Sequence, residues 1–314
     1  MPNGSCGSPR GIEPSVARGR RLYGQIRRME FVGMNSPVLS IVIANYNYGR
    51  FLADAIESVI NQRMGSQVEL IVCDAQSTDN SLSVIKTYEK HISWWCSEPD
   101  GGQSSAFNKG FLHATGKYLT WLNADDVLVP GCLRKVINEL NRHPECDWFT
   151  CNFFRFDRMG DVLEIGWGPH WYPRVLQKPN SPVIVFGPSS IFSRRLWLRI
   201  GRVNENLHLT MDTELWIRFM QAGIKQRRVA CFVWGFRMHE DSKTAEFGDH
   251  KLNRDRQLML EREEYMISRN TGYRCSRVLL LLTYLLRVFD GSFFMRLFYQ
   301  IFMRHFNVGL EAPK

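Results

Sequence analysis

The chain has 314 residues, of which 44% are hydrophobic and 23% charged, and a formal net charge of +9. That balance excludes a disordered or low-complexity protein, and the length suits one α/β core of about 220 to 250 residues with appendages. Eight cysteines with no Cys-x-x-Cys pair and no zinc-type spacing exclude a zinc module and point to a reducing compartment.

The positive charge gathers at the two ends. Arg10, Arg18, Arg20, Arg21, Arg27 and Arg28 crowd the first 35 residues, and Arg274, Arg277, Arg287, Arg296 and Arg304 punctuate the last 45. Basic ends suit contact with an anionic surface, either phospholipid or nucleic acid, and the chain carries no nucleic-acid-binding motif. Residues 1–35 are rich in Gly, Pro, Ser and Arg and hold no apolar core segment, so they read as a disordered leader or an upstream extension of the true start.

Regular structure is predicted from Val38 onward. Val38 to Ala44 is a β-branched run, Asn45 to Gly49 is turn chemistry, and Phe51 to Asn61 has helical spacing. Val68 to Cys73 is a second buried strand that ends on Asp74, followed by a capping cluster and a helix from Leu82 to Glu89. A short strand, His91 to Cys96, leads through Asp100, the Gly101-Gly102 pair and Gln103 into a helix from Ser105 to Ala114. The fourth strand, Gly116 to Asn123, breaks into Asp125 and Asp126, and Val127 to Leu140 has a helical pattern. Alternation of this kind predicts right-handed crossovers and a mostly parallel sheet. Asp74, Asp100 and Asp125-Asp126 then meet beyond the carboxyl ends of its strands, where such sheets bind ligands.

Ser40-Ile41-Val42-Ile43-Ala44-Asn45-Tyr46-Asn47, Asp74-Ala75-Gln76-Ser77-Thr78-Asp79, Asn108-Lys109-Gly110, Ala114-Thr115-Gly116-Lys117 and Leu122-Asn123-Ala124-Asp125-Asp126 together resemble the family 2 glycosyltransferases with the GT-A fold. The resemblance runs from about Pro37 to about Ser242. It implies a metal-dependent, inverting sugar transfer from a nucleotide-sugar. Ala44 and Tyr46 would contact the nucleoside, and Asp74 would hydrogen-bond a pyrimidine, which favours a UDP-sugar. Asp100, Gln103, Asn123 and Asp125 would complete the donor site, with Asn123 standing where the family's Asp-x-Asp motif has its first acid. Asp125 and Asp126 would hold Mn²⁺ or Mg²⁺, hard ions that take oxygen ligands and offset charge on a leaving diphosphate.

The second half supplies the acceptor side. Asp147 to Phe156 and Val162 to Gly166 read as strands, Gly166 to Pro173 as an aromatic loop suited to sugar stacking or to packing, and Arg194 to Ile200 as a helix. In the helix that carries Met211, Leu215 and Phe219 on one face, Asp212 matches the family's catalytic base. A helix N-cap is its other reading, and Glu214 is the second choice of base. After the strand Val229 to Val233, His239 is either a structural histidine or a third metal ligand.

The expected organisation is a leader over 1–35, a GT-A catalytic domain over 36–245 and a C-terminal helical region over 246–314. Lys251 to Arg269 reads as a charged helix. The apolar runs 278–286 and 293–303 are too short for a membrane span and fit either an interfacial helix or a cap on the core. The sequence therefore leads to a glycosyltransferase acting on a glycan or lipid-linked acceptor at the cytoplasmic membrane face. The alternative is a non-catalytic nucleotide-sugar-binding protein of the same fold.

Overall fold

The computed structural model describes residues 36–166, 185, 187–242, 254–279 and 281–282. Its first half follows from period-two side-chain alternation. In β1 (Leu39–Asn45), Leu39, Ile41 and Ile43 join one apolar cluster and Val42 joins another. Leu52, Ile56 and Val59 of α1 (Gly49–Ile60) and Ile85 of α2 (Ser81–Tyr88) belong to the first cluster. Phe107 and Phe111 of α3 (Gln103–His113) belong to the second. Covered on both faces, the strands are mostly apolar, and each fully buried Leu, Ile, Val or Phe contributes roughly 1.5–3 kcal/mol.

β1 lies between β2 (Val68–Asp74) and β4 (Tyr118–Asn123), β3 (Trp94–Ser97) flanks β2, and all four strands are parallel. The register aligns Asn45 with Asp74, Asp74 with Ser97 and Ala44 with Asn123, so the strand ends that bear polar groups emerge side by side. Then come β5 (Val127–Leu128), β6 (Trp148–Phe156), β7 (Val162–Gly166), β8 (Ser190–Ser193) and β9 (Gln226–Arg237). The sheet order is β3-β2-β1-β4-β8-β6-β9-β5, with β7 on β6. β8 runs antiparallel to both β4 and β6, while β6 and β9 are parallel, so the parallel sheet of the first half is extended by a mixed second half.

The helix expected from Val127 starts later. Val127 and Leu128 pair with Gly235 and Trp234 of β9, and Gly131, at φ +74°, turns the chain before α4 (Cys132–Arg142). Pro130 cannot donate to a helical ladder and Gly accepts a left-handed φ at little cost, so the local chemistry separates strand from helix.

α5 (Arg194–Ile200) and α6 (Met211–Gln221) pack on the second cluster. Trp216 of α6 lies between Trp121 of β4, stacked at 5.6 Å and 2°, and Trp148 of β6, stacked at 5.5 Å and 20°. Asn108 of α3 pins the loop ahead of α6, donating to Val203 O and accepting from Val203 N, both at 2.9 Å. α7 (Arg254–Thr271) joins the same cluster through buried Ile267. The described cysteines are all free thiols. Among the described residues no helix is long and apolar enough to cross a membrane. The leader, loop residues 167–173 and the run 293–303 lie outside the described residues.

Candidate active site

A cleft of about 900 Å³ opens beyond the carboxyl ends of β1 and β4. Ala44, Tyr46, Asp100, Gln103, Asn123 and Asp125 line it from the first half of the chain, and Asp212 lines it from the second. Seven of the eleven residues singled out in the sequence are thus brought to one cavity. Asp74, Asp126, Glu214 and His239 do not line it.

The adjacent acids Asp125 and Asp126 point in different directions. Asp125 lines the cleft, and its Oδ2 lies 3.1 Å from His239 Nε2. Asp126 is fully buried: Oδ2 accepts from Asn123 Nδ2 at 2.7 Å, and Oδ1 accepts from Arg237 N at 3.0 Å. Burial and the neighbouring Asp125 charge push the Asp126 carboxyl well above the usual carboxylate range. Instead of standing beside Asp125 as a second open ligand, Asp126 ties the end of β4 to the end of β9. Asn123 completes this arrangement because its Oδ1 accepts from Gln103 Nε2 at 2.8 Å while its Nδ2 donates to Asp126. The amide both accepts and donates there, which a carboxylate does only where the pair with Asp126 holds a proton.

The His239 ring is packed 4.6 Å from Phe51 and 5.7 Å from Tyr48, centroid to centroid. Its Nδ1 is buried with no hydrogen-bond partner among the described residues. No group of three or more His, Cys, Asp or Glu side chains among the described residues is arranged to hold a metal ion.

The geometry corrects the reading of Asp74. Its Oδ1 accepts from Asn45 Nδ2 at 2.7 Å and Ser77 Oγ at 2.5 Å, and its Oδ2 accepts from Ser97 Oγ at 2.5 Å and Ser77 N at 3.1 Å. At 1% exposure this carboxylate binds the ends of β1, β2 and β3 together and is not open to a nucleobase. Ala75, the next residue, lines the cleft instead. Asp100 is the acid on that part of the wall: it accepts from Gly102 N at 2.7 Å, and burial raises its carboxyl above the usual range. Tyr46 is 58% exposed, so its ring presents a face without being part of the core.

Asp212 is partly buried and accepts from Gly187 N at 3.2 Å and Thr213 N at 2.6 Å. Burial raises its carboxyl above the usual range. It is not the cap of α6, since Thr210 holds that position. Gly187 approaches because it lacks a side chain: a Cβ there would meet Trp121 Nε1 at 3.2 Å. Glu214, the second choice of base, is 7% exposed and engaged by Arg218 through two contacts of 2.8 Å, which the i,i+4 spacing on α6 brings about.

Sequence reasoning missed the contribution of α7, whose Leu260, Glu264 and Ile267 also line the cleft. The signal was present: Leu260 and Ile267 share a helical face with Glu263, an acid at an apolar position.

Residues 40–199 match the family model described as Glycosyl transferase family 2. An uncharacterized glycosyltransferase of Rickettsia typhi is 28% identical over 191 residues, covering 59% of this chain and 59% of the relative. The minor teichoic acid biosynthesis protein GgaB of Bacillus subtilis is 33% identical over 223 residues, covering 66% of this chain and 23% of its own. The match thus spans about three fifths or less of the length of these relatives. Among solved structures, S. aureus TarS in complex with UDP-GlcNAc superposes with a TM-score of 0.52 at 15% identity, covering 68% of this chain and 61% of that one. The likeness is one of fold, the GT-A fold.

Proposed function

Because this chain belongs to glycosyl transferase family 2, we propose that it moves one sugar from a nucleoside-diphosphate-sugar to a hydroxyl of a glycan or lipid-linked acceptor in polysaccharide biosynthesis, with inversion. The observation that carries this reading is the placement of Tyr46, Asp125 and Asp212 on the wall of one cleft. Similarity to a teichoic acid biosynthesis protein supports the polymer class of the acceptor.

Tyr46 stacks on the nucleobase with its exposed ring, a contact suited to any base. Asp100 accepts from a ring N–H, which uracil, thymine and guanine carry and which cytosine and adenine, whose N–H groups are exocyclic amines, lack. A UDP-sugar remains the first donor to test, now without the argument from Asp74. Asp125, whose Oδ2 lies 3.1 Å from His239 Nε2, would hold the divalent cation together with His239. Two protein ligands fit Mg²⁺ or Mn²⁺, because such ions are commonly bound by one or two protein groups together with substrate phosphates and water. When bound, the ion supplies positive charge against the leaving diphosphate.

Asp212 takes the proton of the acceptor hydroxyl as its oxygen attacks the anomeric carbon. The bond from that carbon to the phosphate oxygen breaks, and its electron pair leaves with the diphosphate. Attack from the face opposite the leaving group inverts the centre, and no protein nucleophile is needed. The raised affinity of Asp212 for a proton suits a base.

The reading as a binding protein without turnover rested on Asn123. Its amide bonds to Gln103 and Asp126 give that residue a structural reason, which supports the enzyme reading. Membrane contact is assigned to the C-terminal region, where Val278 and Leu281, 68% and 60% exposed, stand near Arg274 and Arg277. With such contact, the cytoplasmic membrane face is the proposed site of action.

The test is nucleotide release from a panel of UDP-, GDP-, dTDP- and CDP-sugars with Mn²⁺, and the anomeric configuration of the product by NMR. Release confined to the CDP-sugar overturns the assignment of the base pocket. A product with retained configuration overturns the single displacement.

A further inference from the structure

α7 lies outside the span matched by the family model, yet it reaches into the chemistry of the cleft. Glu263 on this helix is 2% exposed, and its carboxylate meets the loop that leads into α6. Oε1 accepts from His208 N at 2.6 Å and more weakly from Leu209 N at 3.3 Å. Oε2 accepts from Leu209 N at 3.0 Å, Thr210 N at 2.9 Å and Thr210 Oγ1 at 2.7 Å. Three successive amides aimed at one carboxylate form a nest, the backbone arrangement that holds anions. Here the anion comes from the chain itself.

The position of this nest matters. Thr210 is the N-cap residue of α6, but its side chain makes no capping bond; its hydroxyl donates to Glu263. Asp212 stands two residues farther on, on the cleft wall against Gly187 N. Where Glu263 holds residues 208–210 therefore decides where α6 begins and where the Asp212 oxygens stand. His208, Leu209 and Thr210 themselves line the cleft, so the same clamp shapes the wall next to the base.

We propose that Glu263 is a positioning residue for sugar transfer, holding the 208–210 loop and, through it, Asp212 in the geometry that takes the acceptor proton. The proposal rests on the assignment of Asp212 as the base. Glu263 does not itself line the cleft. Its effect is on alignment, and a misplacement of about 1 Å at a reacting group costs up to about 10²-fold in rate.

The test is a double-mutant cycle in the full-length chain. UDP release from UDP-N-acetylglucosamine, UDP-glucose and UDP-galactose is measured with Mn²⁺, water serving as acceptor, and the fastest of the three is carried through. UDP affinity is read by calorimetry alongside. Glu263→Gln keeps the size but puts an NH₂ against amide donors. It should lower kcat by about 10- to 100-fold and leave UDP affinity within about twofold. On an Asp212→Asn background the same change should cost less than about twofold, because a base that is already absent cannot be misplaced. Thr210→Val removes one bond to Glu263 without opening the nest, should lower kcat several-fold, and decides the matter if Glu263→Gln does not fold. Unchanged kcat in a folded Glu263→Gln protein, losses that multiply in the cycle, or a parallel fall in UDP affinity overturns the proposal. An Asp212→Asn protein of unaltered rate instead overturns the base assignment, and the proposal with it.

Discussion

Asn123→Asp restores the acid usual at the start of the Asp-x-Asp motif and, by the geometry described above, should damage the protein. The native amide donates to Asp126 Oδ2 at 2.7 Å and accepts from Gln103 at 2.8 Å. Asp keeps the second bond and loses the first, and a hydrogen bond to a charged group is worth about 1.5–3 kcal/mol. Two carboxylates about 4 Å apart also repel by about 4 kcal/mol at an effective dielectric near 20. The pair avoids most of that repulsion by binding one proton between them, at about 1.4 kcal/mol for each pH unit above its folded pKa. Asp126 is already biased towards protonation by burial and by Asp125. A folded pKa raised above the unfolded value favours folding at low pH and is lost as pH rises through it. The variant should therefore be close to wild type near pH 4 and less stable by about 2–4 kcal/mol near pH 8. Urea unfolding from pH 4 to pH 8 measures this. A difference below about 0.5 kcal/mol at every pH would refute the amide argument for Asn123.

Asp212→Asn should leave UDP affinity nearly intact and slow sugar transfer by about 10²- to 10⁴-fold, which steady-state kinetics will read. Since burial raises the Asp212 carboxyl and the base must be ionised, the wild-type rate should fall on acidification at a pH above the ordinary carboxylate range; a pH–rate profile flat down to about pH 4 contradicts this. Tyr46→Ala should weaken UDP binding by about 0.5–1.5 kcal/mol without changing stability, the ring being 58% exposed. Removal of residues 274–314 should abolish binding to vesicles of anionic phospholipid, measured by co-sedimentation, and equal binding by the shortened chain removes the membrane role of the tail.

The alternation of buried strands and helices in the first half was legible because both layers of the core are written as apolar periodicity. The misplaced start of α4 shows the limit. Val127 and Leu128 fit a helical stripe and a strand equally well, and only pairing with β9, some hundred residues away, decides between them. The site was legible as residue types at strand ends, but the direction of each side chain was not. Asp125 and Asp126 look alike in sequence, yet one lines the cleft and the other is locked by Asn123 and Arg237. Asp74 ends a strand as expected, and Ser77 and Ser97 then occupy its oxygens. Glu263 escaped notice because a single acid among the charges of α7 reads as surface until the amides it meets are known.

The most direct measurement is UDP release by the wild-type chain and by Asp125→Ala, each in Mn²⁺ and in EDTA. Asp125 is the one acid of the pair open to the cleft, and Asp126 carries the bonds that hold β4 to β9. The expected result is release by wild type in Mn²⁺, none in EDTA, and none from a folded Asp125→Ala protein in either. Release that persists in EDTA, or in Asp125→Ala at the wild-type rate, would contradict a metal-assisted sugar transfer centred on Asp125.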